Sequence, residues 1–209
     1  MNYTWFKYIF NYIYLINRHT HFAKKMKNNI RITGGYLKGK KIPFEFKDTL
    51  RPTSNKLKEI IFNWLQFEIE NLICLDLFAG TGALGIEAIS RQSKKVVFVE
   101  LNKKNYSVLA KNIQLLGIKD KSKVFFKDAF SWIKKNDLSR FDLILLDPPF
   151  GEEYELKVLK SIIRKNEIKP SCKIYLEYSK FTTLEIPEEF TILKEKSVGD
   201  VKALLLETK

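Results

Sequence analysis

The chain has 209 residues, 45% of them hydrophobic and 29% charged, which fits one globular α/β domain with a modest appendage. Its two cysteines, Cys74 and Cys172, lie in apolar runs without metal-ligand spacing, so we expect reduced core thiols and neither a disulfide framework nor a metal site. The formal net charge of +13 and the pI of about 9.5 favour a polyanionic partner, either a nucleic acid or a membrane surface.

The basic charge is concentrated in the first part of the chain. Residues 1–60 carry 13 Lys or Arg and three acids, a net charge of +10, whereas residues 61–209 carry 24 bases and 21 acids, a net charge of +3. A lysine-rich composition bias would explain the total charge, but it explains this asymmetry less well. We therefore expect the amino-terminal part to supply the basic surface.

The first 25 residues are aromatic and basic, and Lys7, Asn11 and Asn17 interrupt them. No apolar run of the chain reaches the roughly 18 residues that span a bilayer. The segment lacks the small-residue cleavage site of a secretory signal, and an organelle transit peptide is only a weak alternative. We favour Met26 as the natural start, with an extension or tail before it, and we expect a cytoplasmic protein without a membrane partner.

A basic hairpin and a helix are predicted next. NIRITGGYLKGKKIPF (29–44) alternates around the Gly34-Gly35 pair and predicts a small β-hairpin or two short strands. Residues 49–67 then predict an amphipathic helix that opens with Pro52 and a cap at Thr53 or Ser54. The apolar residues that share one face of this helix are Leu57, Ile60, Ile61, Trp64 and Leu65. The bases that mark its entrance are Arg51, Lys56 and Lys58.

From residue 72 onward, short apolar runs alternate with segments of helical periodicity, such as 82–91 and 106–117. Near-continuous apolar strands separated by helices predict a parallel sheet that is covered on both faces. The end of the chain, 190–207, predicts two strands joined at Gly199-Asp200, an antiparallel hairpin that closes the sheet. The preceding predicted strands are 72–78, 95–101, 123–129, 142–148 and 173–179.

A glycine-rich loop follows the first of these strands. In LDLFAGTGALGIEA, the residues Gly80, Gly82 and Gly85 match G-x-G-x-x-G between a predicted strand and a predicted helix. Glycines in such a loop permit a tight turn and a close approach of the backbone to a ligand. Because nicotinamide and flavin enzymes share this motif, it does not identify the ligand by itself.

Four acids stand at or just after the ends of the first four strands of this region, and such ends line the ligand crevice of an open α/β sheet. They would repel the pyrophosphate of a dinucleotide, whereas S-adenosylmethionine carries a sulfonium and an ammonium and no phosphate. Glu100 lies 20 residues after Gly80, where an acid can accept from both ribose hydroxyls. For Asp128 alone, a helix N-cap is an equally good explanation. The four acids are Asp76, Glu100, Asp128 and Asp147.

The fourth of these strands ends in Asp147, Pro148, Pro149 and Phe150. Proline has no N–H to give to a sheet, so the two prolines stop strand pairing. Pro148 also favours an extended conformation at Asp147. The sequence therefore predicts a stiff corner that holds a carboxylate beside an aromatic ring, and an ordinary strand-ending turn needs neither group.

Together these residues resemble a class I, Rossmann-like methyltransferase that methylates amino groups. IRITGG (30–35), LRPTSNKLKEIIFNWL (50–65), FAGTGALGIEAISR (78–91) and DPPF are more closely similar to the bacterial RsmD family, which methylates guanine N2 in small-subunit (16S) ribosomal RNA. The resemblance runs from about residue 29 to the end. It implies a seven-stranded sheet with the last strand antiparallel and S-adenosylmethionine as cofactor. It also implies 16S rRNA as partner, within the small ribosomal subunit or its assembly intermediate; a monomer is our default.

The resemblance also implies roles for individual residues. The Asp147 carboxylate and the Pro148 carbonyl would accept from the guanine amine, and Phe150 would stack on the base. Asp76 and the glycine loop would face the methionine part, Glu100 the ribose and Asp128 the adenine amine. The candidate catalytic residues are Asp147, Pro148, Pro149 and Phe150. The candidate cofactor-binding residues are Asp76, Phe78, Gly80, Thr81, Gly82, Glu100, Leu101, Asp128 and Ala129.

The basic amino-terminal segment is expected to grip RNA phosphates, with hairpin and helix flanking the crevice mouth. Arg51, which precedes Pro52, is the strongest candidate, and for any single lysine a solvated charged face is an equal alternative. The candidate RNA-binding residues are Arg31, Lys38, Lys40, Lys41, Arg51 and Lys56. The expected divisions are an extension or tail (1–28), an RNA-contacting appendage (29–67) and a methyltransferase domain (68–209).

Three other functions stay open at this point. A methyltransferase acting on adenine N6 or cytosine N4 would share the DPPF corner. A dinucleotide-dependent oxidoreductase is disfavoured by the acids of the crevice. A ribosome-assembly factor without catalysis is disfavoured by the intact Gly80, Gly82, Glu100 and Asp147.

Overall fold

The computed structural model describes residues 28–44, 55–149, 153–165 and 167–209. These residues form nine strands, β1 to β9, at Asn28–Arg31, Lys41–Phe44, Ile73–Asp76, Lys95–Glu100, Ser122–Phe126, Leu143–Leu146, Lys173–Ser179, Phe190–Val198 and Val201–Thr208. They also form five α-helices, α1 to α5, at Asn55–Trp64, Ala83–Ser90, Lys103–Leu116, Ala129–Lys135 and Tyr154–Lys165. A short 3₁₀ helix at Lys119–Lys121 precedes β5.

Seven of the strands form one sheet in the order β5-β4-β3-β6-β7-β9-β8, and β1 and β2 form a separate antiparallel hairpin. The first five strands in this order, β5, β4, β3, β6 and β7, pair in parallel, whereas β9 runs antiparallel to both of its neighbours. The predicted seven-stranded sheet with an antiparallel last strand is therefore confirmed. The terminal hairpin closes the sheet by inserting β9 between β7 and β8. Because the strand order reverses between β3 and β6, a crevice is expected at their carboxyl ends.

Every predicted strand of the sheet is present, but four end earlier than predicted, at Asp76, Glu100, Phe126 and Leu146. The residues that follow them leave the sheet and form the loops of the crevice. The helix predicted over 49–67 covers Asn55–Trp64 in the described part of the chain, and its predicted cap lies outside the described residues.

The sheet is covered on both faces, as predicted. One apolar cluster joins the hairpin, α1, α2 and α3 to one face, and a second joins α4 and α5 to the other. In the predicted stripe, Leu57 and Ile61 of α1 and Leu65 just after it are buried, and Ile60 and Trp64 are half-buried, so the stripe is core. The hairpin and α1 thus share a hydrophobic core with the sheet.

A fully buried carboxylate, Glu87 on α2, holds the hairpin against the sheet. Its oxygens accept from the Thr33 backbone N–H and hydroxyl, both at 2.9 Å, and from the Gly34 N–H at 2.7 Å. The Arg91 Nε donates to it at 3.0 Å. A buried charge is tolerated only when paired and hydrogen-bonded, and Glu87 meets both conditions.

Lys58 supplies a second cation to this cluster. Its Nζ lies 3.9 Å from a Glu87 carboxylate oxygen and donates to the Arg31 carbonyl at 2.6 Å. Burial lowers the pKa of Lys58, and the attraction of Glu87 opposes that shift. Lys58 lies in the first turn of α1, at the predicted helix entrance, but its side chain is completely buried and adds nothing to the basic surface.

The hairpin loop lies at the end of the sheet opposite the crevice. The Tyr36 N–H donates to the Ser90 carbonyl at 2.9 Å, and Ser90 is the last residue of α2. The residue two positions later, Gln92, accepts from the Asn71 N–H beside the start of β3. The loop therefore meets α2 near the amino ends of the strands. The expectation that the hairpin flanks the crevice mouth is wrong.

None of the helices in the described part of the chain has the length and apolar character needed to cross a membrane. Cys74 and Cys172 are free and buried, in agreement with the prediction of core thiols. Burial raises the pKa of the Cys74 thiol well above its usual range and that of Cys172 to about 12. Neither thiol is thus a nucleophile at neutral pH.

We expect Gly35→Ala to lower the free energy of unfolding by about 2–4 kcal/mol, measured by denaturant titration. Gly35 has a φ of +73°, and a Cβ built there would lie 1.8 Å from the Ser90 carbonyl oxygen. Gly39→Ala is the matched control, because Gly39 has a φ of +86° but only an Arg31 nitrogen at 3.9 Å from the added Cβ. The control should lose about 1 kcal/mol, the cost of the backbone conformation alone. Equal losses would contradict the close approach at Gly35.

Candidate active site

A cavity of about 500 Å³ opens at the carboxyl ends of β3, β4, β5 and β6. The loops after these four strands form most of its wall, and Tyr154 at the start of α5 completes it. The structure therefore brings acids from separate parts of the sequence to one place. The lining residues are Leu77, Phe78, Gly80, Val99, Glu100, Leu101, Asn102, Asn105, Lys127, Asp128, Ala129, Asp147, Pro148, Pro149 and Tyr154.

Glu100, the last residue of β4, connects two loops of this cavity. One carboxylate oxygen accepts from the Gly80 N–H and the other from the Asn102 N–H, each at 2.6 Å. Burial raises the pKa of Glu100, and these N–H donors oppose the shift. Each oxygen has two acceptor sites, so Glu100 can hold the loops and still accept from ligand hydroxyls.

The glycine loop takes the conformation that its sequence predicts. Gly80 and Gly82 have φ values of +53° and +85°, and Gly82 is the N-cap of α2. Thr81 between them is half-buried. A Cβ on Gly85 would lie 2.2 Å from the Phe98 ring, so its missing side chain lets α2 pack directly on β4. The loop therefore depends on glycine both for backbone conformation and for close packing.

Asp76, the last residue of β3, is buried beneath this loop and accepts from the Gly85 N–H at 3.1 Å. Burial raises its pKa to about 8, the Gly85 N–H opposes the shift, and the Asp147 and Glu100 carboxylates reinforce it. In the ligand-free protein, Asp76 thus holds a proton at neutral pH. A cation that binds nearby would favour the charged form.

Asp128 fits both explanations that the sequence left open. It is the N-cap of α4, because its carboxylate accepts from the Ser131 N–H at 2.8 Å, and it also lines the cavity. Ala129 follows it in the wall and is buried. Leu101, on the β4 side, is 63% exposed and gives the cavity an apolar rim.

At the proline corner, Asp147 is half-buried, Pro148 is buried and Pro149 is exposed, and all three line the cavity. Phe150 lies outside the described residues. Since Leu146 pairs with Leu176, Asp147 stands opposite Glu177 on the neighbouring strand. The corner is thus a continuation of a buried parallel strand pair.

Two groups next to this corner were missed by sequence reasoning. Glu177 is buried, and its carboxylate accepts from the Tyr175 hydroxyl at 2.8 Å. Burial and the charges of Glu177 and Asp147 raise the pKa of Tyr175 well above its usual range, so this hydroxyl stays a donor. The available signal was an acid inside the apolar run KIYLEYS.

The predicted cofactor residue Phe78 belongs to an aromatic wall, and sequence reasoning missed the other two rings, Tyr154 and Phe130. The Tyr154 ring stacks on Phe130 with centroids 5.9 Å apart, and Phe78 meets Tyr154 edge-on at 6.4 Å. Both Phe78 and Tyr154 line the cavity. The signal for Tyr154 was an aromatic residue shortly after DPPF, at the start of a helical pattern. Flat apolar walls of this kind suit a planar ring.

The charge of the cavity favours a cationic ligand. Its lining includes the carboxyl groups of Glu100, Asp128 and Asp147 and one ammonium, that of Lys127, with Asp76 directly beneath. A pyrophosphate would meet these acids at close range, whereas a sulfonium and an ammonium would be attracted. The residues present therefore fit S-adenosylmethionine better than a dinucleotide.

The basic residues predicted to bind RNA fall into two groups. Lys56 is exposed in the first turn of α1, and Arg51 lies outside the described residues. The hairpin residues Arg31, Lys38, Lys40 and Lys41 are exposed at the other end of the sheet.

Comparison with known proteins points to one family. The family described as "Conserved hypothetical protein 95" matches residues 30–207. The Haemophilus influenzae protein named Ribosomal RNA small subunit methyltransferase D is 40% identical over 177 residues, which cover 84% of this chain and 92% of that protein. The Escherichia coli protein of the same name is 31% identical over 173 residues, covering 82% and 86%.

Solved structures that are similar to this chain are also described as methyltransferases. A candidate methyltransferase from Escherichia coli has a TM-score of 0.77 and 30% identity, covering 87% of this chain and 99% of its own. A candidate methylase from Haemophilus influenzae has a TM-score of 0.74 and 36% identity, with the same coverage. An RNA methyltransferase from Salinibacter ruber, solved with S-adenosyl-L-homocysteine, has a TM-score of 0.59 at 14% identity, covering 76% and 94%, a likeness of fold alone.

Because Asp76 is protonated in the folded protein, we predict that the free energy of unfolding of the ligand-free protein falls as pH rises. The carboxyl binds a proton in the folded state up to a pH of about 8, whereas in the unfolded chain it loses that proton near pH 4. Between these values the native state binds more protons, so this group makes the free energy of unfolding fall by up to about 1.4 kcal/mol per pH unit. Asp76→Asn should remove this contribution, measured by denaturant unfolding at pH 5.5 and 7.5.

The control for this experiment is Asp120→Asn, which changes an exposed acid of the 3₁₀ helix. It should leave the pH dependence of unfolding unchanged. A wild-type slope in the Asp76→Asn protein would show that Asp76 is ionised in the folded state.

Proposed function

The chain belongs to the RsmD family of S-adenosylmethionine-dependent methyltransferases, and we propose that it methylates the N2 amine of a guanine in small-subunit ribosomal RNA. The family and its cofactor establish an enzyme that transfers methyl groups. The small-subunit RNA substrate is our inference from the relatives that carry that name, and the role of each site residue is our inference from the geometry of the cavity.

The observation that carries this proposal is the proline corner beside the acidic cavity. Asp147 and Pro148 directly follow the buried strand β6, so their positions are set by the sheet. A carboxylate and a carbonyl there offer two acceptors to an amine that has two N–H groups to donate. Stiff placement matters because methyl transfer depends on the alignment of the attacking nitrogen with the methyl group and its leaving sulfur.

We assign the rest of the cavity to the cofactor. Asp76 and the loop from Gly80 to Gly82 would hold the methionine part, Glu100 the ribose, and Asp128 the adenine amine. Phe78, Leu101 and Ala129 would supply apolar contacts. The observations that support these assignments are the acidic lining, the left-handed glycines and the aromatic wall.

S-adenosylmethionine supplies a methyl group on a positively charged sulfur, which leaves as a neutral thioether. The protein's task is to prepare the amine, whose lone pair is delocalised into the guanine ring. Hydrogen bonds to Asp147 and to the Pro148 carbonyl turn the N–H groups so that the lone pair faces the methyl group. The methylated nitrogen must give up one proton, and the Asp147 carboxylate would be the acceptor for it at the corner.

The target base must leave its stack to reach this corner. A base that is already single-stranded in a folded RNA costs least to extract, and Phe150 would stack on its face. Lys56, exposed in the first turn of α1, and Arg51 are our candidates for phosphate contacts. We infer the assembled subunit or an assembly intermediate as the substrate, the cytoplasm as the location and a monomer as the acting form.

The decisive experiment is methyl transfer from labelled S-adenosylmethionine to small ribosomal subunits that lack the native modification, followed by digestion to nucleosides. We expect the label in N2-methylguanosine. Label in N6-methyladenosine or N4-methylcytidine would keep the methyltransferase and overturn the proposed target. Absence of label in any RNA, with cofactor binding intact, would overturn the ribosomal substrate.

Asp147→Ala should lower kcat by about 100-fold or more, the scale of losing one preorganised polar contact in an active site. Cofactor affinity should change little, because Asp147 is assigned to the base. The measurement is single-turnover transfer to subunits together with calorimetric binding of S-adenosylmethionine. Near-normal turnover would remove Asp147 from the reaction.

Glu100→Gln should weaken cofactor binding by about 1–3 kcal/mol, because the charged acceptor for the ribose hydroxyls is lost. The variant should also lose thermal stability, since Glu100 holds the Gly80 and Asn102 N–H groups. Glu188→Gln, on an exposed residue, serves as the control. A less stable variant with unchanged cofactor affinity would mean that Glu100 only organises the loops.

A further inference from the structure

A second basic surface lies far from the proposed active site. It consists of the exposed hairpin residues Arg31, Lys38, Lys40 and Lys41 together with Lys119 and Lys121 of the 3₁₀ helix. Tyr36, 56% exposed, joins the two segments, because the Lys121 ammonium lies 5.6 Å from its ring centroid. We call these seven residues the hairpin patch.

The hairpin patch is separated from the crevice by the length of α2. That helix starts at the glycine loop and ends at Ser90, whose carbonyl accepts from Tyr36. Eight helical residues span about 12 Å. The 3₁₀ helix directly precedes Ser122, the first residue of β5, so it too lies at the amino ends of the strands. A base bound at Asp147 and a phosphate bound at Lys38 would therefore be at opposite ends of the sheet.

The patch is built on a fixed backbone. The Leu37 side chain is buried, its N–H donates to the Ser90 hydroxyl at 3.0 Å, and Glu87 holds the residues before it. The cations thus extend from a framework that shares the core of the sheet. A preorganised surface of this kind loses less entropy on binding than a mobile tail.

The charges of the patch are not neutralised within the described part of the protein. None of its six cations lies within ion-pair distance of a carboxylate there, whereas lysines near the carboxyl end, such as Lys165, Lys180 and Lys202, each do. The acid within the two segments is Asp120, which leaves a net charge of +5 for residues 31–41 and 119–121. Clustered, unpaired cations around an exposed aromatic ring are typical of RNA-binding surfaces.

We propose that the hairpin patch binds phosphates of a second RNA segment of the substrate, distant from the target guanine. This inference rests on the proposed function, since it assumes an RNA large enough to reach both ends of the sheet. The lysines and Arg31 contact the backbone, and Tyr36 contacts a ribose or an unpaired base. The enzyme therefore selects the folded RNA of the subunit over a short fragment that fills only the crevice.

The test compares two triple variants with equal change of charge. The first is Lys38→Glu, Lys40→Glu and Lys121→Glu, in the patch. The control is Lys134→Glu, Lys160→Glu and Lys194→Glu, exposed residues of α4, α5 and β8. Cofactor affinity and thermal unfolding verify that each variant is folded; if the first set destabilises the protein, Lys→Gln changes at the same positions replace it. Substrates are unmodified small subunits, protein-free small-subunit RNA and a short transcript around the methylated guanine.

We expect the patch variant to raise KM for subunits and for protein-free RNA about 10-fold or more, with kcat unchanged and a shallower salt dependence of binding. Its kcat/KM on the short transcript should equal that of the wild type, and the control should match the wild type on all substrates. Equal kinetics of the two variants on subunits would overturn the proposal. A loss on subunits without a loss on protein-free RNA would assign the patch to a ribosomal protein instead. Failure of the proposed function can be told apart from failure of the hairpin-patch proposal, because the wild type would then methylate none of the substrates.

Discussion

The buried carboxylate of Glu87 is the interaction on which the arrangement of the protein depends. A carboxylate removed from water costs several kcal/mol unless donors and cations surround it. Here the donors come from Thr33 and Gly34 of the hairpin and from Arg91 at the end of α2, and Lys58 of α1 adds a cation. Removing any of these elements would leave a charge unsatisfied in the core. The hairpin, α1 and α2 are therefore positioned together.

Helix α2, which carries Glu87, contacts a different part of the protein at each of its ends. Its first turn receives the glycine loop, where the Gly85 N–H holds Asp76 and the missing Gly85 side chain makes room for Phe98. Its last residue, Ser90, supports the turn after Gly35. One helix of eight residues thus fixes the floor of the acidic cavity at one end and the basic hairpin loop at the other.

The surfaces at the two ends of α2 carry opposite charge, and we propose that the separation of these charges is functional. The cavity collects Glu100, Asp128 and Asp147 above the buried Asp76, so it attracts a cation and repels phosphates. We therefore propose that RNA binds elsewhere on the protein and delivers only an uncharged base to the corner. The basic hairpin surface, kept away from the acids by the length of the helix, meets that requirement. A protein with a net charge of +13 can in this way hold a cationic cofactor and a polyanionic substrate without mixing their sites.

Local patterns in the sequence determined the elements and the chemistry of the crevice. Period-2 and period-3.6 runs, the left-handed glycines and the prolines after β6 depend on short-range sterics, which act the same way in any fold. The open α/β topology then places strand ends together, which is why Asp76, Glu100, Asp128 and Asp147 could be assigned to one crevice beforehand.

Tertiary structure alone decided the features that depend on which side chains meet across long sequence distances. Lys58 was predicted only to mark a helix entrance, and the pairing of its ammonium with Glu87, 29 positions away, places it in the core. Glu177 became a neighbour of Asp147 only through the register of β6 and β7. The hairpin lysines were assigned to the crevice mouth by charge, but a charge pattern carries no direction, and the contact of Tyr36 with Ser90 places them at the opposite end. Propensity acts over a few residues, whereas burial and pairing are settled only when the whole core assembles.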